Sequence, residues 1–160
     1  MSFRCEQATV ICSLGRSLRL KIVRIVPEPR NVKCTHIALQ VRDIDASIAF
    51  YEHFCGMKVV HERRADELPV VWLGWGEDPP LFVIVLIAQP YERNIQPPWQ
   101  HIGMAVEDRE AVDEIFNRAK ADGLGGLWPP VDAGSIVGYY CGVPDPDGNI
   151  VEFSFGQRIG

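Results

Sequence analysis

Residues 35–41 read T-H-I-A-L-Q-V, and 65 positions further on residues 100–106 read Q-H-I-G-M-A-V. His36, Ile37 and Val41 return as His101, Ile102 and Val106, and the same offset carries Asp43 to Asp108, Ala46 to Ala111, Phe50 to Ile115 and Tyr51 to Phe116. A gapless, ordered match over a strand and the helix behind it marks an internal duplication. Each copy has an Asp at the N-cap position, followed by apolar residues at helical spacing: Ile44, Ile48, Tyr51 and Phe54 in the first, Val112, Ile115, Phe116 and Ala119 in the second. Gly56 and Gly123 supply helix stops. Further strands are expected over 57–62, 70–75 and 81–88 in the first copy and over 127–131, 136–143 and 150–155 in the second. The fold class is therefore α+β, two βαβββ modules forming a half-open barrel or cup with the helices outside.

The modules span 34–89 and 99–157 of a single domain, 34–157, joined by a Pro-rich connector, 90–98, for which no regular structure is expected. Residues 1–33 read as a basic extension, with seven Lys and Arg against two Glu. Its stretch 18–26 partly alternates, as an added edge strand or a loose arm would, and its apolar centre is too short for a secretory signal.

With 160 residues, 47% of them hydrophobic, the chain can bury a substantial core. Sixteen basic residues against 21 acidic ones give a net charge of -5, the wrong sign for a protein that binds by neutralising phosphates, so nucleic acid is not an expected partner. The apolar run 81–88 falls far short of the roughly 20 residues of a spanning helix, which excludes a transmembrane role. Five widely spaced cysteines without a C-x-x-C pair imply neither a disulfide framework nor a zinc knuckle, and they read as small buried hydrophobes in a reducing cytoplasm.

Side chains alternate across a strand. The first strand divides into Ile37, Leu39 and Val41, which cover the helix, and His36, Ala38 and Gln40, which face away. Its repeat sets Ile102, Met104 and Val106 against His101, Gly103 and Ala105. On the last strand Glu152 shares the face of Ile150 and Ser154, opposite Val151, Phe153 and Phe155. A carboxylate in so hydrophobic a strand is costly to bury unless charge-paired, protonated or metal-bound. His36, His101 and Glu152 thus make a 2-His-1-carboxylate set suited to a divalent metal with positions left open. The competing reading is a metal-free binding cup in which the histidines hydrogen-bond Glu152 or Gln40. Asp145 and Asp147, within P-D-P-D-G-N, read as turn formers without chemistry.

The stretch T-H-I-A-L-Q-V-R-D-I-D-A-S-I-A-F-Y-E-H-F-C-G-M and the closing D-P-D-G-N-I-V-E-F resemble the opening and the ligand strand of the vicinal oxygen chelate superfamily, the glyoxalase, bleomycin-resistance and extradiol-dioxygenase group. The resemblance covers about residues 33–157. It implies metal ligands on the first and last strands of each module, which carries over to His36, His101 and Glu152. A fourth ligand of the glyoxalase I kind would fall near Ile84, an aliphatic residue, which weakens that reaction. A three-ligand site is similar to those of extradiol dioxygenases and fosfomycin-type thiol transferases. Dioxygenases would add a tyrosine before the closing turn and a further histidine, for which Tyr140 and His61 are the candidates. Gln40, Trp72, Ile84 and Ser154 are the expected pocket residues.

The resemblance implies a divalent metal (Fe, Mn, Zn or Ni), a small-molecule substrate and an enzyme of the glyoxalase or dioxygenase type chelating adjacent substrate oxygens. Its alternative is a non-catalytic protein that sequesters a drug or metabolite. Module pairing within one chain or across a homodimer remains open.

Overall fold

A computed structural model describes residues 33–65, 67–90 and 99–158. The chain divides into two compact units, Met1–Cys34 and Thr35–Gly160, and every strand and helix described below belongs to the second. The expectations for the basic extension up to residue 32, and for connector residues 91–98, lie outside the described residues.

The first module runs β1 (His36–Val41), α1 (Ile44–Cys55), β2 (Lys58–Arg63), β3 (Val70–Gly74) and β4 (Val83–Ala88). The second runs β5 (His101–Ala105), α2 (Arg109–Ala121), β6 (Trp128–Asp132), α3 (Gly134–Val137), β7 (Tyr139–Pro144) and β8 (Ile150–Phe155). The sheets are ordered β1-β4-β3-β2 and β5-β8-β7-β6, each with one parallel pair at its start. This is an α+β fold of two βαβββ modules whose four-stranded sheets form a half-open cup rather than a closed barrel.

The helix boundaries follow from their caps. Asp43 accepts from the backbone N–H groups of Asp45 and Ala46, and Asp108 from that of Ala111, satisfying donors the first turn would otherwise leave bare. Gly56 closes α1 in the left-handed conformation, φ +62°, with its N–H bonded back to the Glu52 carbonyl. Helix-facing residues of both modules meet in one core: Val41, Phe50, Tyr51 and Phe54 from the first, and Val112, Ile115, Ala119, Val151 and Phe153 from the second.

Two expectations need correction. The expected strand 136–143 starts only at Tyr139, because a single helical turn, α3, occupies Gly134–Val137 and ends on Gly138 at φ +85°. The cysteines are not uniformly buried: Cys141 is, Cys55 is half-buried, and Cys34 lies exposed just ahead of β1. Pro129 and Pro130, which lack the N–H a ladder needs, account for the register shift between Trp128 and Val131 in β6.

Candidate metal centre

Register fixes which side chains share the cup faces. In the second sheet Gly103, Glu152, Gly142 and Trp128 form one row across β5, β8, β7 and β6, and Ala105, Ser154, Tyr140 and Val131 form the next. In the first sheet Ala38, Val85, Trp72 and His61 form the row across β1, β4, β3 and β2. Strand alternation puts His101 beside the first of these rows and His36 and Gln40 beside the last.

Ile84 lies elsewhere. It pairs with Ile37 and Leu73, is fully buried, and belongs to the core beneath the helices. The residue occupying the place of Glu152 in the first module is Val85, opposite Ala38 as Glu152 is opposite Gly103. Counted back from Glu152, the 65-residue offset lands on Ile87 and not on Val85, and the expected position near Ile84 lies on the opposite face of β4.

Glu152 is only 5% exposed, and its two oxygens have separate partners. Oε1 accepts from Gln157 Nε2 at 2.7 Å, and Oε2 lies 3.5 Å from His101 Nε2. His101 Nδ1 is 2.9 Å from the carbonyl oxygen of Trp99. A carbonyl can only accept, so Nδ1 carries a proton toward Trp99, and Nε2 is the ring atom turned to Glu152. His101 Nε2 and a buried carboxylate oxygen thus face each other across 3.5 Å, a spacing that suits an ion pair and equally suits two ligands of one cation. Two ligands each about 2.1 Å from one ion, at a near-tetrahedral angle, stand about 3.4 Å apart. The donor set, its spacing and the carbonyl that orients the imidazole all fit a divalent metal.

His36, the third residue of the set, has its Nδ1 3.1 Å from the Thr35 hydroxyl. Among the described residues no three His, Cys, Asp or Glu side chains come together as a metal-holding group, so within one chain the structure joins His101 to Glu152 and leaves His36 on the other sheet.

Aromatic rings border the pair. The Trp128 ring centroid lies 5.9 Å from that of His101 and 6.2 Å from that of Trp99. Trp128 can lie there because the facing residue is Gly142, where a Cβ would come within 2.7 Å of the indole. On the other sheet His61 and Trp72 stack at 5.0 Å, with Trp72 40% exposed. Tyr140 is half-buried, Ser154 is buried at 3%, and Gln40 donates to the Gln89 carbonyl at 3.4 Å. An apolar groove of about 450 Å³ runs from His101 and Trp99 past Ile102 and Ile150 to Ile37 and Leu39.

Sequence reasoning missed what supports this pair. Gln157 lies past the last strand, where no periodicity singles it out. Asp145 and Asp147 do form the closing turn, with Asp145 N–H donating to the Asn149 carbonyl, but each is only 4% exposed and each reaches back into the first module. Asp145 Oδ1 accepts from the backbone of Asp147 and Asn149, and its Oδ2 accepts from Asn149 Nδ2 and from the buried Tyr51 hydroxyl at 3.1 Å. Asp147 takes Arg42 Nε at 2.8 Å. This turn leads directly into β8 and so sets where Glu152 stands. Burial, aided by the neighbouring Asp145, raises the Tyr51 phenol far above its ordinary value.

Residues 33–153 match the Glyoxalase/Bleomycin resistance protein/Dioxygenase superfamily, and the chain belongs to it. An uncharacterized protein of Pseudomonas aeruginosa, PA2024, is 45% identical over 127 residues, 79% of this chain and 90% of that one. The trypanothione-dependent glyoxalase I of Leishmania major is 27% identical over 78% of this chain and 87% of its own, with a TM-score of 0.59. The Listeria monocytogenes fosfomycin resistance protein FosX, in a mutant form complexed with Mn(II) and 1S,2S-dihydroxypropylphosphonic acid, shares the fold: TM-score 0.63, 20% identity, 79% of this chain and 93% of that one.

Proposed function

We propose that the protein is a divalent-metal-dependent enzyme acting on a small molecule in the manner of the glyoxalase group. His101 and Glu152 hold the metal, and in a homodimer His36 of the partner subunit completes the set. The observation that carries this reading is the convergence of His101 Nε2 and Glu152 Oε2, two electron-pair donors, across 3.5 Å. When bound, the metal supplies Lewis-acid stabilisation of charge developing on adjacent substrate oxygens. The names of the Leishmania and Listeria proteins, one a glyoxalase and one bound to Mn(II), support a small-molecule substrate and a metal.

The chain's own residues divide the remaining work. The Trp99 carbonyl keeps the imidazole proton on Nδ1 and so keeps Nε2 available. Trp128 and Trp99 wall one side of the centre against water and favour an apolar group on the substrate. Tyr140, one row from Glu152, and His61, on the other sheet, are the candidates to move a proton.

Homodimerisation is favoured by what a single chain leaves bare. The cup faces carry exposed Trp72, and β1 is an edge strand whose Ile37 is 37% exposed. An isologous pair would cover both edges and bring His36 of the partner subunit to each His101–Glu152 pair. With no disulfide among the described cysteines, a reducing compartment such as the cytoplasm suits the protein.

The test uses purified protein titrated with Mn(II), Fe(II), Zn(II) and Ni(II), and His36→Ala mixed with Glu152→Ala. Each variant alone should bind no metal. After subunit exchange at equal amounts, about one quarter of the wild-type sites should return, because half the dimers are mixed and each mixed dimer rebuilds one of two sites. No recovery would reject the shared site, and no uptake by the unmutated protein would reject the metal. Turnover of a thiol–aldehyde adduct or a catechol only when metal is present would support catalysis. Undiminished ligand binding in metal-stripped protein would instead favour sequestration by the aromatic cup.

A further inference from the structure

We propose that Gln157 is a positioning residue for Glu152: it holds one carboxylate oxygen so that the other alone faces the metal beside His101. The assignment rests on the metal reading above and adds to it a residue outside the ligand set.

Three observations converge on this role. The first is the contact itself, Gln157 Nε2 to Glu152 Oε1 at 2.7 Å, made to a carboxylate that is 5% exposed. The amide presents its NH₂, which donates, and the Glu152 oxygen accepts. The second is the division of labour between the two oxygens, since Oε2 and not Oε1 lies toward His101 Nε2. With Oε1 engaged, Glu152 is held to one oxygen toward the ion and cannot swing to offer both.

The third is the seat built for the tail that carries Gln157. After β8 the chain turns at Gly156, φ +78°, and Arg158 N–H donates to the Ile136 carbonyl in α3 at 3.3 Å. Gly138 lies under this turn. A Cβ there would collide with the Phe155 carbonyl oxygen and reach within 3.0 Å of Gln157 N and 3.1 Å of Gly156 C. With φ at +85° as well, the position is reserved for glycine on two grounds. The short helix that interrupts the expected strand thus has a use, which is to hold the tail where the amide meets Glu152.

Gln157 acts through its bond to Glu152, so its effect should appear in metal affinity and ligand geometry before it appears in rate. The experiment titrates Mn(II) calorimetrically into full-length wild type, Gln157→Leu, Gln157→Asn and His101→Ala. It also records the visible absorption of the Co(II)-loaded forms. Asparagine keeps the amide but is one carbon too short to reach. Both Gln157 variants should bind Mn(II) about tenfold or more weakly, with an altered Co(II) spectrum and melting temperatures in the absence of metal no more than several degrees below wild type. Affinity within about twofold of wild type together with an unchanged Co(II) spectrum, in either variant, would overturn the assignment and leave the metal reading standing. Failure of the wild type itself to take up Mn(II) or Co(II) would overturn both, and uptake unaffected by His101→Ala would overturn the ligand set.

Discussion

Replacing Asp145 by alanine tests whether the closing turn is a mere connection or the joint that locks the two modules together. Its carboxylate accepts four hydrogen bonds, from Asp147 N, Asn149 N, Asn149 Nδ2 and Tyr51 Oη, all from buried residues. Left without an acceptor, each donor costs at least about 1 kcal/mol, or about 4 kcal/mol in all. Removing the carboxyl also removes its own desolvation, which returns about 1 kcal/mol. The net loss is about 3 kcal/mol. For a domain of this size that lowers the melting temperature by about 10 °C. Tyr51→Phe deletes one of the four bonds and should cost about 1 kcal/mol, and the pair should couple by a similar amount in a double-mutant cycle. Thermal and urea unfolding followed by circular dichroism measure all three. An Asp145→Ala melting temperature within about 2 or 3 °C of wild type would show the network to be incidental, and strict additivity would show that Tyr51 and Asp145 do not act together.

Glutamate placed at the two candidate fourth positions should give opposite results. Val85→Glu adds a carboxylate to the half-buried cup face and should fold and bind divalent metal more tightly, whereas Ile84→Glu puts an unpaired carboxyl in the core, costs several kcal/mol and should leave no folded protein by circular dichroism. Burial pushes the Asp145 carboxyl above the ordinary carboxylate range, against hydrogen bonds from Asn149, Tyr51 and the Asp147 backbone. An acid raised in this way lends stability that is complete below its unfolded value and is lost as pH climbs through the folded one. The stability of wild type relative to Asp145→Asn should therefore fall as pH rises from about 4, and a difference that stays flat would contradict the shift. Burial also pushes the Cys55 and Cys141 thiols up to about 12, so peptide mapping after brief maleimide treatment at about pH 7 should find Cys34 labelled well before either.

The duplication was legible because its signal is local: capping Asp43 and Asp108, strand alternation and helical spacing all lie within some twenty residues and repeat at one offset. That offset carried the first strand of each module correctly and failed at the last. The segments between helix and closing strand differ in length, so that Glu152 and Val85 stand 67 residues apart and not 65. Glu152, chosen by its own face, falls on the cup, while Ile84, placed only by resemblance to a closing strand, sits one residue from Val85 and falls in the core.

Polar residues divide along a similar line. His101 and Glu152 stood out as chemistry out of place on apolar strands, a mismatch visible in one dimension. Asp145, Asp147 and Gln157 did not, because Asp in a P-D-P-D-G-N turn and Gln just past a strand are what solvent-exposed sequence ordinarily looks like. Their significance comes from burial and from partners some hundred residues away, Tyr51 and Arg42, or from a seat formed by Gly138. The same limit explains His36. Its chemical type and face could be read, but whether it meets His101 in its own chain or across a subunit boundary depends on how two rigid modules are paired. Helix packing within one chain already satisfies the apolar faces of both α1 and α2 while leaving Trp72 on the first cup face exposed. A fold that buries its helices intramolecularly settles its core before its site, which is why the core could be read from local spacing and the partner of His36 could not.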